Sequence, residues 1–235
     1  MGAESGAVTA SEAERHATGR GARSDDRVPM LHAVTSDEIV LRADFSERAR
    51  GVMLAGGPRV AVHLRAPRLG GRRLYDLAVP LAEWQRETGA WLVVNDRADV
   101  ALAAGARGVQ LTSRSLTPAD ARRCAPGLSV GASVHSVEDA AAAAEAGARW
   151  LVAGHAFDAE RHGEEDTRGL AFIERLVAMH VLPVIAIGGV RPEHVPALRA
   201  AGAYGVAAIR GVWQASDAGA AVIDYLSAHG AAGGL

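Results

Sequence analysis

The chain has 235 residues and no lysine, so every basic side chain apart from histidine is an arginine. A Schiff base with a substrate carbonyl or with pyridoxal phosphate needs a lysine amine. Aldolases and condensing enzymes that work through an imine are therefore excluded. The single cysteine, Cys124, rules out an internal disulfide and favours a reducing cytoplasmic location.

Other features that the sequence lacks restrict the kinds of partner that the chain is expected to bind. The formal net charge of −2 gives no large positive field, so we expect no nucleic-acid partner. No apolar run approaches the roughly 20 residues that cross a bilayer, and no signal-peptide pattern opens the chain, so we expect no membrane partner. Aromatic residues make up only 4%, while alanine, valine, leucine and glycine dominate. This composition suits parallel strands buried under helices.

Short apolar runs alternate along the chain with amphipathic stretches. Eight runs predict strands: Met30–Val34, Val60–Leu64, Trp91–Val94, Gly108–Leu111, Leu128–Ala132, Trp150–Ala153, Leu182–Ile187 and Tyr204–Ile209. The stretches between them that predict helices include Arg72–Thr88, Pro118–Cys124, Ser136–Ala146, Gly169–Met179, Pro192–Ala200 and Asp217–Ala228. Repeated β/α units indicate a parallel sheet, either closed or open and doubly wound.

We predict the closed form, a (β/α)8 TIM barrel over residues 30–229. The strand count is eight, the repeat is about 20–25 residues, and no G-x-G-x-x-G follows the first strand. Residues 1–29 are predicted to be a disordered tail and residues 230–235 a flexible C-terminus. Ala-Gly-Ala recurs before three strands, at residues 104–106, 146–148 and 201–203, where glycine can end a helix in the left-handed conformation.

In such a barrel the chemistry lies where the strands end and in the loops that follow. Polar or glycine residues recur at those predicted positions, whereas most strand interiors are apolar. The candidates are His32, Arg65, Asn95 with Asp96, Gln110, His135, His155, Gly188 with Gly189, and Ile209 with Arg210.

The predicted phosphate site begins at Gly188 and Gly189, which follow an apolar strand and precede a helix with Pro192 near its first turn. Two glycines let backbone amides approach an anion, and the helix N-terminus adds a favourable dipole. Loops after strands seven and eight commonly hold phosphate in barrels, so Ile209 and Arg210 would supply the other amides. The alternative is a tight turn without a ligand.

His135 is the predicted acid/base residue. It precedes Ser136, which with Asp139 resembles a capping box. The positive end of that helix disfavours an imidazolium, and a neutral imidazole can accept and then return a proton. His155, after the next strand, is either a second catalytic residue or a core histidine. No third histidine has ligand spacing, and the carboxylates of residues 164–166 resemble a solvated loop, so we expect no metal.

Two further residues belong to the predicted site. Arg65 is suited to clamp a carboxylate or phosphate through two parallel hydrogen bonds. Asp96 would bind magnesium or cap a helix that begins near Arg97, and the cap is the preferred interpretation because no second carboxylate is placed opposite it.

Five ordered motifs together resemble the thiamine phosphate synthase/TenI superfamily, from about Leu31 to Leu226. They are Asn95-Asp-Arg-Ala-Asp99, Gly108-Val-Gln-Leu111, Gly131-Ala-Ser-Val-His-Ser136, Ala186-Ile-Gly-Gly-Val190 and Gly202-Ala-Tyr-Gly-Val-Ala207. The synthase branch joins a pyrimidine pyrophosphate to a thiazole phosphate with magnesium. The chain departs from that branch in three places. Its segment from His63 to Pro67 keeps the arginine of a Q-x-R-x-K pattern without the lysine, Ser115 replaces an aspartate, and Arg161-His162 stand where a lysine would be.

The thiazole tautomerase branch, typified by TenI, is more similar. Its S-V-H-S, G-H-x-F and R-G-L patterns match Ser133 to Ser136, Gly154 to Phe157 and Arg168 to Leu170. The resemblance implies that His135 moves a proton to aromatise a thiazole carboxylate phosphate. Arg65 and Asn95 would hold the carboxylate, and the amides of Gly189, Ile209 and Arg210 the phosphate.

That reaction needs no cofactor; magnesium enters only with the first alternative, a divergent thiamine phosphate synthase. The second alternative is a non-catalytic regulatory protein that binds thiazole phosphate. Apolar helix faces, together with the resemblance, are compatible with a homo-oligomer.

Overall fold

A computed structural model describes residues 27–157, 169–179 and 182–230. Eight strands are present: β1 Leu31–Val34, β2 Val60–Leu64, β3 Trp91–Asn95, β4 Gly108–Leu111, β5 Ser129–Val134, β6 Trp150–Ala153, β7 Val184–Ile187 and β8 Gly205–Ala208. Each strand pairs in parallel with the next, and β8 pairs with β1. The sheet is therefore a closed barrel in sequential order, as predicted.

Helices cover the outside of the barrel. The described ones are α1 Asp37–Val40, α2 Phe45–Gly56, α3 Gly71–Thr88, α4 Ala98–Ala104, α5 Pro118–Cys124, α6 Val137–Glu145, α7 Gly169–Ala178, α8 Val195–Ala200, α9 Arg210–Trp213 and α10 Ala218–Ala228. Within the described part of the chain, none combines the length and apolar character that crossing a membrane would need.

The helix boundaries follow from local chemistry. Ser136 Oγ accepts the backbone N–H of Asp139, which starts α6 as predicted. Gly105, Gly147 and Gly202 have φ angles of 73°, 87° and 87°, so each Ala-Gly-Ala segment turns through the left-handed conformation that glycine adopts without steric cost. These turns lead directly into β4, β6 and β8.

The floor of the barrel includes residues that the sequence analysis assigned to the tail. Val28 is buried, and its carbonyl accepts a hydrogen bond from the Tyr204 hydroxyl at 2.6 Å. The carbonyl of Pro29 lies 3.0 Å from His32 Nε2 inside the barrel. The folded unit therefore begins at least two residues before the predicted Met30.

Side chains alternate between two cores, because successive strand residues point to opposite faces. One core lies between strands and helices. The other fills the barrel and contains Val28, Val34, Ala61, Trp91, Val93, Trp150, Val152, Ile185 and Ala207. The second core supports the residues at the mouth from below.

Candidate active site at the barrel mouth

The predicted site residues lie at one end of the barrel. Arg65 follows β2, Asn95 ends β3, His135 follows β5 and His155 lies two residues beyond β6. Because all strands are parallel, these ends share one mouth. Arg65 and Asn95 line a cleft of about 170 Å³ that also includes Asp96.

The backbone around Arg65 is tied to β1. Thr35 is fully buried; its hydroxyl accepts the N–H of Arg65 at 2.9 Å and donates to the carbonyl of the same residue at 3.0 Å. One side chain thus satisfies both backbone groups where the strand ends. Arg65 is held at the cleft with its guanidinium partly exposed.

Asp96 does not cap a helix, so the preferred interpretation from the sequence is wrong. Its Oδ1 accepts the backbone N–H and the hydroxyl of Thr112, both at 2.9 Å. The residue that precedes α4 is Arg97, which makes no side-chain cap hydrogen bond. Asp96 instead joins the loop after β3 to the loop after β4, with a positive φ of 60°.

The described residues at the mouth do not form the two-carboxylate site of the synthase pattern. Asp96 already bonds Thr112 through one oxygen, and the hydroxyl of Ser115 stands where the synthase pattern has a second carboxylate. Over residues 27–157, 169–179 and 182–230, no group of three or more histidine, cysteine or acidic side chains could hold a metal ion. Of the two carboxylates in the synthase pattern, the described residues therefore keep one, Asp96, and magnesium is commonly bound through one or two carboxylates together with substrate phosphates.

His135 has a fixed backbone and an exposed side chain. Its N–H donates to Asp139 Oδ2 at 2.9 Å, while the N–H of Asp139 donates to Ser136 Oγ at 3.0 Å. The reciprocal pair resembles a capping box, although the carboxylate reaches His135 rather than Ser136. This anchoring presents the imidazole at the mouth beside the start of α6.

Gly188 is needed for close packing against the loop after β6. It has a φ of 108°, and a Cβ at this position would lie 2.8 Å from His155 Cα and 2.9 Å from the Ala156 nitrogen. The N–H of Phe157 donates to the Gly188 carbonyl at 2.9 Å. The tight turn at Gly188 thus has a structural reason, and its amide as a phosphate ligand remains a prediction.

The other predicted phosphate residues are neighbours across β7 and β8. Ile187 pairs with Ala207, so Gly189 and Ile209 lie two residues beyond a paired position on adjacent strands. Arg210 follows as the exposed first residue of α9. The segment after Gly189 starts with a 3-10 turn, Pro192–His194, before α8, where the sequence predicted one helix. The register is compatible with the predicted amide cradle.

Two residues expected at strand ends are buried inside the barrel instead. His32 is 1% exposed and Gln110 is 2% exposed, and His63, which was not a candidate, is 1% exposed. His32 Nδ1 lies 2.8 Å from His63 Nε2. Burial lowers the pKa of His32 to about 4 and holds the pKa of His63 well below its usual value. Both rings are therefore neutral near pH 7.

A second buried contact chain runs beside the histidines. Trp150 Nε1 donates to Gln110 Oε1 at 2.8 Å, and Gln110 Nε2 donates to Ser133 Oγ at 3.1 Å. Sequence reasoning placed Gln110 at a strand end and missed its contacts with Trp150 and Ser133, because it treated strand interiors as apolar. The alternation of inward side chains, as in Ala61 and His63 along β2, was the signal that could have found them.

Several motif residues fall in the segment from 158 to 168. Arg161, His162, the acidic residues 164–166 and Arg168 lie outside the described residues. The G-H-x-F motif is described up to Phe157, whose ring stacks on His194 with centroids 4.4 Å apart.

Comparison with known proteins identifies relatives over most of the chain. The family model described as thiamine monophosphate synthase matches residues 31–212. The thiamine-phosphate synthase of Methanoculleus marisnigri is 40% identical over 196 residues, which cover 81% of this chain and 90% of the relative. That of Pyrococcus furiosus is 35% identical over 161 residues, 68% of this chain and 78% of the relative.

A solved structure agrees with these matches. Thiamine phosphate pyrophosphorylase from Pyrococcus furiosus superposes with a TM-score of 0.75 at 30% identity, over 87% of this chain and 98% of that one. These relatives carry the synthase name, so the comparisons favour the synthase alternative over the tautomerase that the motifs predicted. The superfamily resemblance itself is confirmed: the chain belongs to the thiamine monophosphate synthase family.

Proposed function

We propose that this protein is an enzyme of thiamine biosynthesis that forms thiamine phosphate from a thiazole phosphate and a pyrimidine pyrophosphate. The observation that carries the proposal is the 40% identity to a thiamine-phosphate synthase across 90% of that relative. In the reaction a carbon–nitrogen bond forms between the two heterocycles, and pyrophosphate leaves.

Two separate parts of the mouth support this proposal, one for each anionic group. The cleft lined by Arg65 and Asn95 lies at β2 and β3, and the predicted amides of Gly189, Ile209 and Arg210 lie at β7 and β8. In this proposal Arg65 contacts the pyrophosphate and the amides hold the thiazole phosphate. Arginine binds phosphate through a planar fork, so its geometry differs from that of the lysines in the synthase pattern.

A second candidate is the tautomerisation of a thiazole carboxylate phosphate, because of His135. A proton moved between two carbons needs one positioned acid/base, and His135 is exposed at the mouth on a fixed backbone. Arg65 would then hold the carboxylate. This reaction requires neither a lysine nor the second carboxylate that Ser115 replaces.

A paired assay separates the candidates. Purified full-length protein is given both coupling substrates with magnesium, or the thiazole tautomer alone without it. We expect thiamine phosphate in the first reaction, and Arg65→Ala should lower kcat/KM for coupling at least tenfold. His229→Asn is the control and should retain wild-type rates, because His229 follows α10 at the floor end of the barrel, where its Nε2 lies 3.0 Å from the carbonyl of Tyr204.

The same assay contains the outcomes that would contradict the proposal. Tautomerisation without coupling, lowered about 10²–10⁴-fold by His135→Asn with phosphate-ligand binding retained, would replace the synthase with the isomerase. Thiazole phosphate binding with no acceleration of either reaction would indicate the non-catalytic regulatory alternative.

A further inference from the structure

The cleft at β2 and β3 has a second arginine in its wall. Arg97 lines it together with Arg65, and the lining residues include one acidic side chain, Asp96. Oδ1 of Asp96 already accepts two hydrogen bonds from Thr112 in the loop after β4. The two guanidinium groups are therefore the cationic groups that this wall offers to a ligand, and the sequence analysis gave Arg97 no part in the site.

Asp99 holds one edge of the Arg97 guanidinium. Nε of Arg97 donates to Oδ1 of Asp99 at 2.9 Å, and Nη2 donates to Oδ2 at 2.6 Å. This is the fork of two hydrogen bonds that arginine forms with a carboxylate. The hydrogen bond from Arg97 also lowers the pKa of Asp99 below its ordinary value, so the carboxyl group is ionised at pH 7.

Gly71 leaves room for the same guanidinium. A Cβ at this position would lie 2.6 Å from Nη2 and 3.1 Å from Nη1 of Arg97, so a residue with a side chain would push the group away. Gly71 is the first residue of α3, and Asp99 lies in the first turn of α4. Arg97 is thus placed from two sides, by a carboxylate of one helix and by the backbone of another.

The hydrogen-bond donors that remain on Arg97 are suited to an anion. A guanidinium has five N–H hydrogens. Asp99 accepts one from Nε and one from Nη2, which leaves the two of Nη1 and one of Nη2. No acceptor for these three hydrogens is present in the described part of the chain, and the side chain is 40% exposed. Nη1 and Nη2 can bind two oxygens of a phosphate side by side.

We propose that Arg97 is a second pyrophosphate-binding residue of this cleft, and that Asp99 and Gly71 are the residues that position it. Arg65 follows β2 and Arg97 follows β3, so the pyrophosphate would contact guanidinium groups from two neighbouring loops. In a chain without lysine, these two arginines supply the cationic contacts. The proposal rests on the proposed function, because that function places a pyrophosphate group in the cleft.

Calorimetric titration of the full-length protein with inorganic pyrophosphate, in the presence of magnesium, tests the role of Arg97. Arg97→Gln should raise the Kd at least about tenfold, because charge-assisted hydrogen bonds are lost. Arg42→Gln is the matched control and should keep the wild-type Kd. Arg42 lies outside the cleft, is also 40% exposed, and forms the same fork with Asp44, with both bonds at 2.8 Å. An unchanged Kd in the Arg97 variant, or no binding by the wild type, would overturn the proposal.

Gly71→Ala tests the position of Arg97 without removing a charge. The added Cβ displaces the guanidinium, so the Kd for pyrophosphate should rise about threefold or more, the equivalent of one hydrogen bond. Gly70→Ala is the control, because no atom lies within 4 Å of a Cβ added at the neighbouring position. Equal Kd values for the two alanine variants would show that Gly71 does not position Arg97.

Asp99→Asn separates positioning from charge by the sign of its effect. Removing a negative charge beside the cleft would tighten pyrophosphate binding if Asp99 only reduced the positive charge there. Loss of the fork should instead weaken binding about threefold. Tighter or unchanged binding would overturn the role of Asp99. These titrations need no second substrate, so failure of the coupling assay leaves them unaffected, and coupling with an unchanged Kd in Arg97→Gln would overturn this proposal alone.

Discussion

The two halves of the barrel interior carry different kinds of side chain. On β1 to β4 the inward positions carry His32, His63, Asn95 and Gln110, three of them nearly inaccessible to solvent. On β6 to β8 they carry apolar residues such as Val152, Ile185 and Ala207. At the mouth, the polar half presents side chains. The apolar half presents backbone groups, those of the loop at Gly188 and of Ile209.

This difference shows two ways to fix a ligand group. A side chain such as that of Arg65 is placed by its backbone, which the hydroxyl of Thr35 ties to β1. A backbone amide needs only a rigid loop, which the packing of Gly188 against His155 provides. Protonation should therefore destabilise the polar half, whereas added side-chain volume should destabilise the apolar half.

Acid should disturb the polar half with the largest effect. The pKa of His32 is about 4 in the fold against 6.5 for a free histidine, so only the unfolded chain binds this proton between those values. The contribution of His32 to the free energy of unfolding is therefore complete above about pH 6.5 and is lost as the pH falls toward 4. At pH 5 the loss from His32 is about 2 kcal/mol, and His63 changes in the same direction.

Denaturant unfolding at pH 7 and pH 5 measures this loss. A His32→Leu, His63→Leu double variant should lose at least about 2 kcal/mol less than the wild type over that interval. His135→Leu, which removes an exposed histidine, is the control and should keep the wild-type dependence. The same pH dependence in the double variant would mean that the buried pair is not its origin.

Added side-chain volume should destabilise the apolar half. Gly188→Ala places a Cβ within 2.9 Å of the loop after β6 at a φ of 108°, and we expect a cost of about 1–3 kcal/mol. Gly105→Ala is the control, because Gly105 also has a positive φ of 73° but no atom lies within 4 Å of the added Cβ. Equal unfolding free energies in the two variants would show that contact with His155 does not matter.

The smallest expected effect is a difference in unfolding free energy between variants of two buried tryptophans. Trp150 Nε1 donates to Gln110, whereas Trp91 Nε1 is buried with no partner in the described part of the chain. Trp150→Phe should therefore cost about 1–2 kcal/mol more than Trp91→Phe in unfolding free energy, since only the first leaves a buried acceptor unpaired. A reversed order would contradict the hydrogen bond to Gln110.

Much of the fold was readable from the sequence. The eight apolar runs, the Ala-Gly-Ala turns and the Ser136 cap each have a local cause, and the structure places each of them as predicted or within two residues. The ends of the strands also located Arg65, Asn95 and His135 at one mouth, because parallel strands finish on the same side.

The pairings inside the barrel could not be read in the same way. His32 and His63 are 31 residues apart and meet only because β1 and β2 are neighbours with a particular register. Asp96 likewise contacts Thr112 sixteen residues away, so a local capping rule assigned it the wrong partner. The choice between two reactions of one superfamily depends on a few mouth residues, while overall identity reflects the whole barrel.

The Pro29 carbonyl has a consequence for how the chain can be altered. It belongs to the segment that closes the floor, yet it requires a hydrogen on Nε2 of His32, and a neutral His32 then accepts a hydrogen bond from Nε2 of His63. Trimming the chain to start after Pro29, or displacing that segment, would leave every mouth residue in place. It would nonetheless remove the acceptor that fixes the hydrogen of His32, so the hydrogens of two buried rings inside the barrel would be rearranged by an edit at its floor.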